Sequence, residues 1–395
     1  MIPLGFQMAG VRCGLKNKRN DLGLILSDRP AIAAGVVTTN AVRAASVDYT
    51  RDVLRSGRLR AVVVNSGNAN CCTGVQGVRD TVRMAELAAE GLGVDPREVA
   101  VASTGVIGQP LDMTKVEKGI RNASHKMGDD VKAFMDAILT TDLVEKWAWR
   151  AVEGEVASPS SGTVDPSKKG TILGLAKGSG MIAPNMATML GYIVTDLDVE
   201  GLDLDAILRE SADVSFNCMT VDGDTSTNDM LVLMANGASG VKVSCETFRA
   251  MLDDVCVSLA KQIARDGEGA TKLVEVRVTG TENPTKVART IAESPLVKTA
   301  MFGCDPNWGR VLMAAGRSGV ALDPQQALLT FIAGGEGHIL FERGTPTTID
   351  PRRVSAAMKT DYLVVDLWLG EGPTATVYTC DLSYGYVRIN AEYHT

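Results

Sequence analysis

The chain has 395 residues, of which 45% are hydrophobic and 22% charged, so a packed core of one large or two ordinary domains is expected and disorder is not. Its net charge of -7 and the lack of basic clusters longer than residues 51–60 argue against a nucleic-acid-binding surface. No apolar run approaches ~18 residues, no export signal precedes the first strand, and the eight cysteines form no Cys-x-x-Cys pair. We therefore expect a cytoplasmic protein without a membrane partner.

The N-terminal part of the sequence alternates predicted strands and helices. Val, Ile and Thr between glycines predict strands over 21–27 and 34–39. Residues 60–64 form a continuous apolar run, as in a strand buried on both faces, and residues 77–91 have apolar side chains at helical spacing. A further strand is predicted over 99–102.

The strand over 99–102 opens directly onto Ser103, Thr104 and Gly105. A hydroxyl donor beside an unobstructed backbone N–H is what an oxyanion site needs. On spacing alone, a glycine turn between a strand and a helix explains these residues equally well. The spacing therefore leaves both interpretations open.

The remaining elements follow the same mixed pattern. Residues 111–139 are predicted to be mostly helical, and a loop with Thr140 and Thr141 comes next. Later segments continue the alternation: strands over 171–176, 192–195 and 274–278, helices over 202–217, 248–265, 294–302 and 308–317, and a strand-rich region from 327 onward.

The least ordinary stretch of the chain is residues 177–191. Lys177 begins a glycine-rich approach that ends at Pro184, and a lone hydroxyl, Thr188, stands among small and apolar neighbours. A Walker loop would need the lysine after the glycines, and a dinucleotide-binding loop would need a third glycine. A tight turn into a core strand is the simplest structural alternative.

No histidine offers a base for hydrolase or transferase chemistry. The three histidines are not placed at metal-ligand spacings or beside a Gly-x-Ser-x-Gly motif. The most natural interpretation of His338, which follows Gly334-Gly335-Glu336-Gly337, is a turn. A threonine can supply its own base when it becomes a chain terminus, because a free α-amino group titrates near ~7.7 to 8.0. For Thr188 to become a chain terminus, the peptide bond after Ala187 would have to be cut through an N-to-O acyl shift.

Two acidic segments complete the candidates. Asp222, Asp224 and Ser226 are spaced like a calcium loop, but Thr227 replaces the required glycine and no glutamate closes the loop. We expect a hydrogen-bonded scaffold there and no metal. Glu268 follows the helix over 248–265 between glycines, and on pattern alone it is an exposed acid at a helix end.

Several blocks, in this order along essentially the whole chain, resemble the ornithine acetyltransferase (glutamate N-acetyltransferase) family. The blocks are Asn65-Ser66-Gly67-Asn68-Ala69-Asn70, Ser103-Thr104-Gly105-Val106-Ile107-Gly108, residues 177–190, residues 220–229, Gly303-Cys304-Asp305-Pro306-Asn307-Trp308-Gly309-Arg310 and residues 390–395. Residues 143–149 depart from the family pattern, which has Thr and then Pro-Lys in this loop.

The resemblance implies a role for individual residues. Thr188 would be the nucleophile, freed by cleavage between Ala187 and Thr188, and Thr104 and Gly105 would stabilise the oxyanion. Substrate would contact residues drawn from both sides of the cut: Thr141, Lys177, Thr188, Glu268, Asn390 and Thr395.

The resemblance also implies an α+β fold: a four-layer αββα sandwich of N-terminal-nucleophile type with a smaller C-terminal α/β portion. Two chains, 1–187 and 188–395, would assemble as an α2β2 heterotetramer. The implied activity moves acetyl from N-acetylornithine to glutamate in arginine biosynthesis, without a cofactor, and leaves open acetyl-CoA as a second donor. A self-cleaving amidohydrolase or aminopeptidase of the same fold and a non-catalytic binding protein are the alternatives.

Overall fold

The computed structural model describes residues 2–153, 169–183 and 189–392. In these ranges the strands are β1 (Phe6–Val11), β2 (Leu22–Val37), β3 (Arg58–Asn68), β4 (Val99–Val106), β5 (Lys146–Glu153), β6 (Lys169–Lys177), β7 (Leu190–Thr195), β8 (Met230–Ala235), β9 (Leu273–Thr279), β10 (Leu328–Ala333), β11 (Glu336–Glu342), β12 (Thr345–Pro346), β13 (Tyr362–Trp368) and β14 (Thr374–Cys380). The helices are α1 (Ala45–Leu54), α2 (Gly74–Leu92), α3 (Met113–Ser124), α4 (Val131–Ile138), α5 (Leu204–Val214), α6 (Cys245–Arg265), α7 (Pro284–Ala292), α8 (Pro295–Phe302), α9 (Trp308–Gly316), α10 (Pro351–Ala357) and α11 (Tyr384–Glu392).

The first eight strands form one mixed sheet in the order β4-β3-β2-β8-β7-β6-β5, with β1 paired to β2. The long strand β2 joins two halves of this sheet. Its first part pairs with β1 and β3, its last part pairs with β8, and the register against β3 shifts between Leu26 and Ala31. The prediction of two separate strands over 21–27 and 34–39 is therefore wrong. The polar residues and Pro30 between them suggest a turn in the sequence, but they form an irregularity that leaves the strand continuous.

Separate hydrophobic cores cover the faces of this sheet. One core contains residues from both halves, including Val62 of β3 and Tyr192 of β7. A second joins Val63 of β3 to α2 and α3, and a third joins Ile193 of β7 to α5 and α6. Neighbouring residues of a strand point to opposite faces, so each central strand is buried on both sides.

The second sheet has six strands in the order β12-β11-β10-β13-β9-β14. It is antiparallel except where β13 pairs with β9 in parallel. Helices α7, α8 and α9 contribute to its core, and α6 packs against strands of both sheets. The predicted α+β class is thus confirmed. His338 lies buried in β11, so its assignment to a turn is wrong, because the turn is limited to the glycines at 334 and 335.

Strands from both sides of the predicted cut are neighbours in the first sheet. Leu175 of β6 pairs with Tyr192 of β7, and Ala34 of β2 pairs with Leu233 of β8. Residues 187 and 188 themselves lie outside the described ranges. The position of the predicted cut is therefore not a boundary between two separately folded units.

Candidate active site

A cavity opens at the edge of the first sheet where β4 and β6 end and β7 and β8 begin. Residues from distant parts of the sequence line it, and among them are six of the predicted site residues: Thr104, Gly105, Thr141, Lys177, Glu268 and Asn390. The other predicted site residues, Ala187, Thr188 and Thr395, lie outside the described residues. The fold thus brings together every predicted site residue that it describes, and their chemical roles remain predictions.

Thr104 and Gly105 occupy the end of β4 beside the end of β3. Gly105 has a φ of +133°, and a Cβ at this position would lie 2.3 Å from the carbonyl carbon of Gly67. Only glycine fits such a close approach between the two strands. The ammonium of Lys177 donates to Thr104 Oγ1 at 3.5 Å. The Thr104 hydroxyl, the Gly105 backbone and the Lys177 ammonium therefore lie close together in the site.

Lys177 is the last residue of β6 and pairs with Leu190 of β7. A lysine at the end of a strand is by default a solvated surface residue, but Lys177 is only 8% exposed. A cation in a mostly buried cavity favours an anionic group of a bound molecule, because the surroundings screen the attraction poorly.

A buried ion cluster lies behind the cavity and was not predicted from the sequence. The Lys146 ammonium lies 2.7 Å from Asp142 Oδ1 and 2.6 Å from Asp266 Oδ2. Burial alone would raise the pKa of Asp142, but Lys146 and Lys177 hold that pKa below its usual range. Asp142 also accepts the N–H of Gly178 at 2.7 Å, so the cluster fixes the loop before β5 against the segment after β6.

Glu268 and Asn390 meet at another wall of the cavity. The carboxylate of Glu268 accepts a hydrogen bond from Asn390 Nδ2 at 2.8 Å, which connects the chain after α6 to α11. Glu268 is 8% exposed, so its interpretation as an exposed helix-end acid does not hold. A Cβ at Gly180 would lie 2.4 Å from the Glu268 carboxyl carbon, so a glycine there leaves the room that the carboxylate occupies.

The loop over 220–229 holds the chain that leads to residue 184. Asp222 accepts the N–H groups of Met181 at 2.7 Å and Ile182 at 2.8 Å, and Thr225 Oγ1 donates to the carbonyl of Ala183 at 2.8 Å. Met181 has a φ of +55°, a conformation that non-glycine residues rarely adopt. Burial raises the pKa of Asp222, against the lowering effect of these two N–H donors.

The same loop is bound to the ends of β3 and β4. The amide of Asn228 donates to the carbonyl of Ala69 at 2.6 Å and to that of Ser103 at 2.8 Å. Asn228 thus bridges the residues that precede Thr104 and those that follow β3. This agrees with the expectation of a hydrogen-bonded scaffold. The described part of the chain holds no cluster of three or more His, Cys, Asp or Glu side chains placed to bind a metal ion.

Asp229 also lines the cavity and was not singled out by the sequence. It is 3% exposed, and burial raises its pKa well above the usual range. The signal that could have found it is an acid directly before the six-residue apolar strand β8, whose residues are all buried. An acid directly before a fully buried strand is expected to be buried together with that strand.

The ArgJ family model matches residues 7–395 of the chain. The chain belongs to the ArgJ family. An arginine biosynthesis bifunctional protein ArgJ from Bacillus cereus is 43% identical over 405 residues, covering 100% of this chain and 96% of that protein. A protein of the same name from Symbiobacterium thermophilum is 46% identical over 409 residues, covering 100% of this chain and 98% of that protein.

An ornithine acetyltransferase from Mycobacterium tuberculosis has been solved in complex with ornithine. It is 39% identical, and the match covers 47% of this chain and 94% of that one with a TM-score of 0.39. The predicted family resemblance is confirmed by the ArgJ match, and acetyl transfer in arginine biosynthesis is the function of this ArgJ-family chain. Among the helices of the described ranges, none has the length and apolar character needed to cross a membrane.

Proposed function

We propose that the protein transfers the acetyl group of N-acetylornithine to glutamate through an acetyl ester on Thr188. The observation that carries this proposal is the convergence of Thr104, Gly105, Lys177 and Glu268 on one cavity, at the strand ends that flank residues 184–188. Family membership over residues 7–395 supports the same chemistry. A cavity with a cation and a carboxylate in its walls can bind the carboxylate and the ammonium group of a small amino acid.

Thr188 becomes competent when the chain cuts itself before this residue. Its Oγ attacks the carbonyl carbon of Ala187, the hydroxyl proton passes to the departing nitrogen, and water hydrolyses the resulting ester. The segment up to Ala183 is held by Asp222 and Thr225, while Leu190 is held by strand pairing. Both anchors lie close in sequence to Ala187 and Thr188, and an attack within one chain avoids the entropic cost of bringing two molecules together.

The transfer reaction then uses the new α-amino group as its base. This amine takes the Oγ proton as Oγ attacks the acetyl carbonyl, and it returns a proton to the departing ornithine nitrogen. Thr104 and the Gly105 N–H stabilise the oxyanion. The amine of glutamate then attacks the acetyl ester and passes its proton through the same α-amino group to Thr188 Oγ, which leaves as the free hydroxyl, and N-acetylglutamate departs.

The remaining predicted residues bind substrate in this proposal. Lys177 attracts a substrate carboxylate, and Glu268 receives the amino end of the amino acid. Thr141, Asn390 and Thr395 complete the contacts. No cofactor takes part, and acetyl-CoA is a candidate second acetyl donor, since the relatives from Bacillus cereus and Symbiobacterium thermophilum are named bifunctional.

We further propose the finer architecture that goes with this chemistry. The shared core between the two halves of the first sheet, with helices on both outer faces, supports a four-layer αββα sandwich of N-terminal-nucleophile type. The chains 1–187 and 188–395 stay associated because β8 and β7 of the second chain lie between β2 and β6 of the first chain in that sheet, and we propose an α2β2 heterotetramer.

Intact-mass analysis tests the cut. Parent protein is expected as two fragments, the second beginning at residue 188, and Thr188→Ala as one full-length chain without transfer activity. A full-length parent chain that still transfers acetyl groups contradicts the proposal.

Product analysis separates the transferase from an amidohydrolase or aminopeptidase. With N-acetylornithine, N-acetylglutamate is expected to form only when glutamate is present, and free acetate should not accumulate in its absence. Release of acetate at the same rate with and without glutamate supports the hydrolase. Formation of N-acetylglutamate from acetyl-CoA and glutamate would test whether acetyl-CoA is a second acetyl donor.

A further inference from the structure

Asp142 connects two segments of the chain that line the cavity. It directly follows the cavity residue Thr141, and its Oδ2 accepts the N–H of Thr140 at 2.9 Å. Its Oδ1 accepts the N–H of Gly178, which follows the cavity residue Lys177, at 2.7 Å. Asp142 and Gly178 are 36 positions apart in the sequence. One carboxylate therefore holds the backbone beside Thr141 and the backbone beside Lys177.

The Asp142 carboxylate is shielded from solvent and charged. Its side chain and that of Lys146 are both 0% exposed, and Asp142 Oδ1 lies 2.7 Å from the Lys146 ammonium. Burial alone would raise the pKa of Asp142, but Lys146 and Lys177 hold that pKa below its usual range. A buried charge with hydrogen-bond donors on both oxygens has few alternative positions, because a displacement would leave buried polar groups without partners.

The ammonium of Lys146 extends this arrangement to the opposite wall of the cavity. It lies 2.6 Å from Asp266 Oδ2, and the Asp266 carbonyl accepts the hydroxyl of Ser179 at 2.7 Å. The carbonyl of Ser179 in turn accepts the N–H of Glu268 at 3.0 Å. The segment after β6 is therefore fixed on one side to the ion cluster and on the other side to the chain that carries Glu268.

We propose that Asp142 is a positioning residue, which holds Thr141 and Lys177 at the separation that lets both contact one bound amino acid. This inference rests on the proposed function, in which Lys177 binds the substrate carboxylate and Thr141 contacts the substrate. Asp142 is not among the described residues that line the cavity and is only 2% exposed, so it acts through its two neighbours. Because N-acetylornithine and glutamate both carry an α-carboxylate, the binding of both depends on this carboxyl group.

Asp142→Asn tests the assignment in the full chain, with the cut checked by intact mass. The amide keeps the shape of the side chain but has one acceptor oxygen instead of two, so one backbone N–H loses its partner. The KM values for N-acetylornithine and for glutamate are both expected to rise on the order of 10-fold, while kcat changes by less than about 3-fold.

N-acetylputrescine provides a second measurement, because it is N-acetylornithine without the α-carboxylate. The parent is expected to prefer N-acetylornithine by roughly 100-fold in kcat/KM, since Lys177 has no anionic partner in the smaller donor. In Asp142→Asn this preference should fall to roughly 10-fold. A general loss of folded protein would lower the rates with both donors alike and leave the preference unchanged.

A double variant shows whether Asp142 acts through Lys177. Lys177→Met is expected to raise both KM values, and Asp142→Asn should add little to that rise, because the two substitutions act on one group. Asp142→Glu is the second variant should Asp142→Asn not fold. It keeps the charge beside Lys146 but lengthens the side chain by one methylene, so the carboxylate is displaced and the same rise in KM is expected.

Asp196→Asn is the matched control. Asp196 is a buried carboxyl at the opposite end of β7, and it also accepts two backbone N–H groups, from Leu4 and Thr171, both at 2.7 Å. The amide is expected to lower the melting temperature. The KM values and the preference for N-acetylornithine are expected to equal those of the parent.

Two kinds of result overturn the assignment. Parent KM values and preference in a folded Asp142 variant, or equal changes in Asp196→Asn, show that Asp142 has a structural role only. Fully additive KM effects of Asp142→Asn and Lys177→Met show that Asp142 does not act through Lys177. Failure of the proposed function is recognised separately, by parent KM values in Lys177→Met or by a parent protein without a fragment that begins at residue 188.

Discussion

The Lys146 ammonium lies 2.6 Å from the Asp266 carboxylate, although the two residues are 120 positions apart in the sequence. The Lys146 side chain has no exposed surface. Asp266 directly follows α6, and its backbone carbonyl accepts the hydroxyl of Ser179 at 2.7 Å. This ion pair thus connects β5, the end of α6 and the segment after β6 behind the cavity.

Replacing Lys146 with Met should destabilise the protein strongly, because Asp142 and Asp266 would be left buried without their cation. Breaking a buried ion pair typically costs about 3–5 kcal/mol. We expect a loss of this size in the free energy of unfolding measured with urea. Lys169→Met is the control, because its pair with Glu153 is more than half exposed and such pairs contribute ~0–1 kcal/mol. Equal losses in both variants would contradict a special role for Lys146.

Much of the fold could be predicted from sequence patterns because those patterns are local. The period of apolar residues indicates α2 and α6, and a continuous apolar run indicates β3. The continuity of β2 through its register irregularity could not be predicted in this way, since an irregularity and a turn have similar local composition. β5 was missed as well, because its exposed Trp147 and Trp149 conceal the strand alternation.

The site residues were predicted from the sequence motifs of a family and not from local physical patterns. Thr104 and Lys177 each have an ordinary local explanation in the sequence, and only the fold brings them to 3.5 Å. Lys146 lies in a stretch typical of a surface loop, so nothing local indicates its burial. Residues whose partners are more than a hundred positions away become recognisable only when the sheets are assembled.

Thr104→Val should lower the turnover of acetyl transfer while leaving the fold intact. Valine has nearly the same shape as threonine, but it removes the hydroxyl donor, and loss of one oxyanion donor typically costs on the order of 100 to 1000-fold in kcat. Steady-state kinetics and a melting curve measure both effects. Thr114→Val, at an exposed position of α3, should retain the kcat of the parent. Normal turnover of the Thr104→Val variant would show that the Thr104 hydroxyl has no role in the mechanism.

Glu268→Gln should raise the KM for the amino-acid acceptor more than it lowers kcat. The amide loses the charge that we propose binds a substrate ammonium, and hydrogen bonds to charged groups contribute about 1.5–3 kcal/mol, or roughly 10 to 100-fold in KM. Initial rates at varied glutamate concentration measure this change.

Gly180→Ala should act on the same carboxylate. Its Cβ would lie 2.4 Å from the Glu268 carboxyl carbon, so the side chain must move. The KM effects of the two substitutions should not add in the double variant, because both act on one group. Gly316→Ala is the control, since a Cβ there meets nothing within 4 Å. Fully additive effects would indicate that Gly180 acts elsewhere.

Lys16 should make stability depend on pH in alkaline solution. Burial lowers its pKa from 10.5 to about 8, against the opposing charges of Asp136 and Asp21. Between these two values the unfolded chain binds more protons than the native one, so the parent gains stability with rising pH. The free energy of unfolding of the parent minus that of Lys16→Met should therefore rise above about pH 8. The same difference for exposed Lys18→Met should stay constant, and a constant difference for Lys16→Met would show that the Lys16 pKa is not lowered.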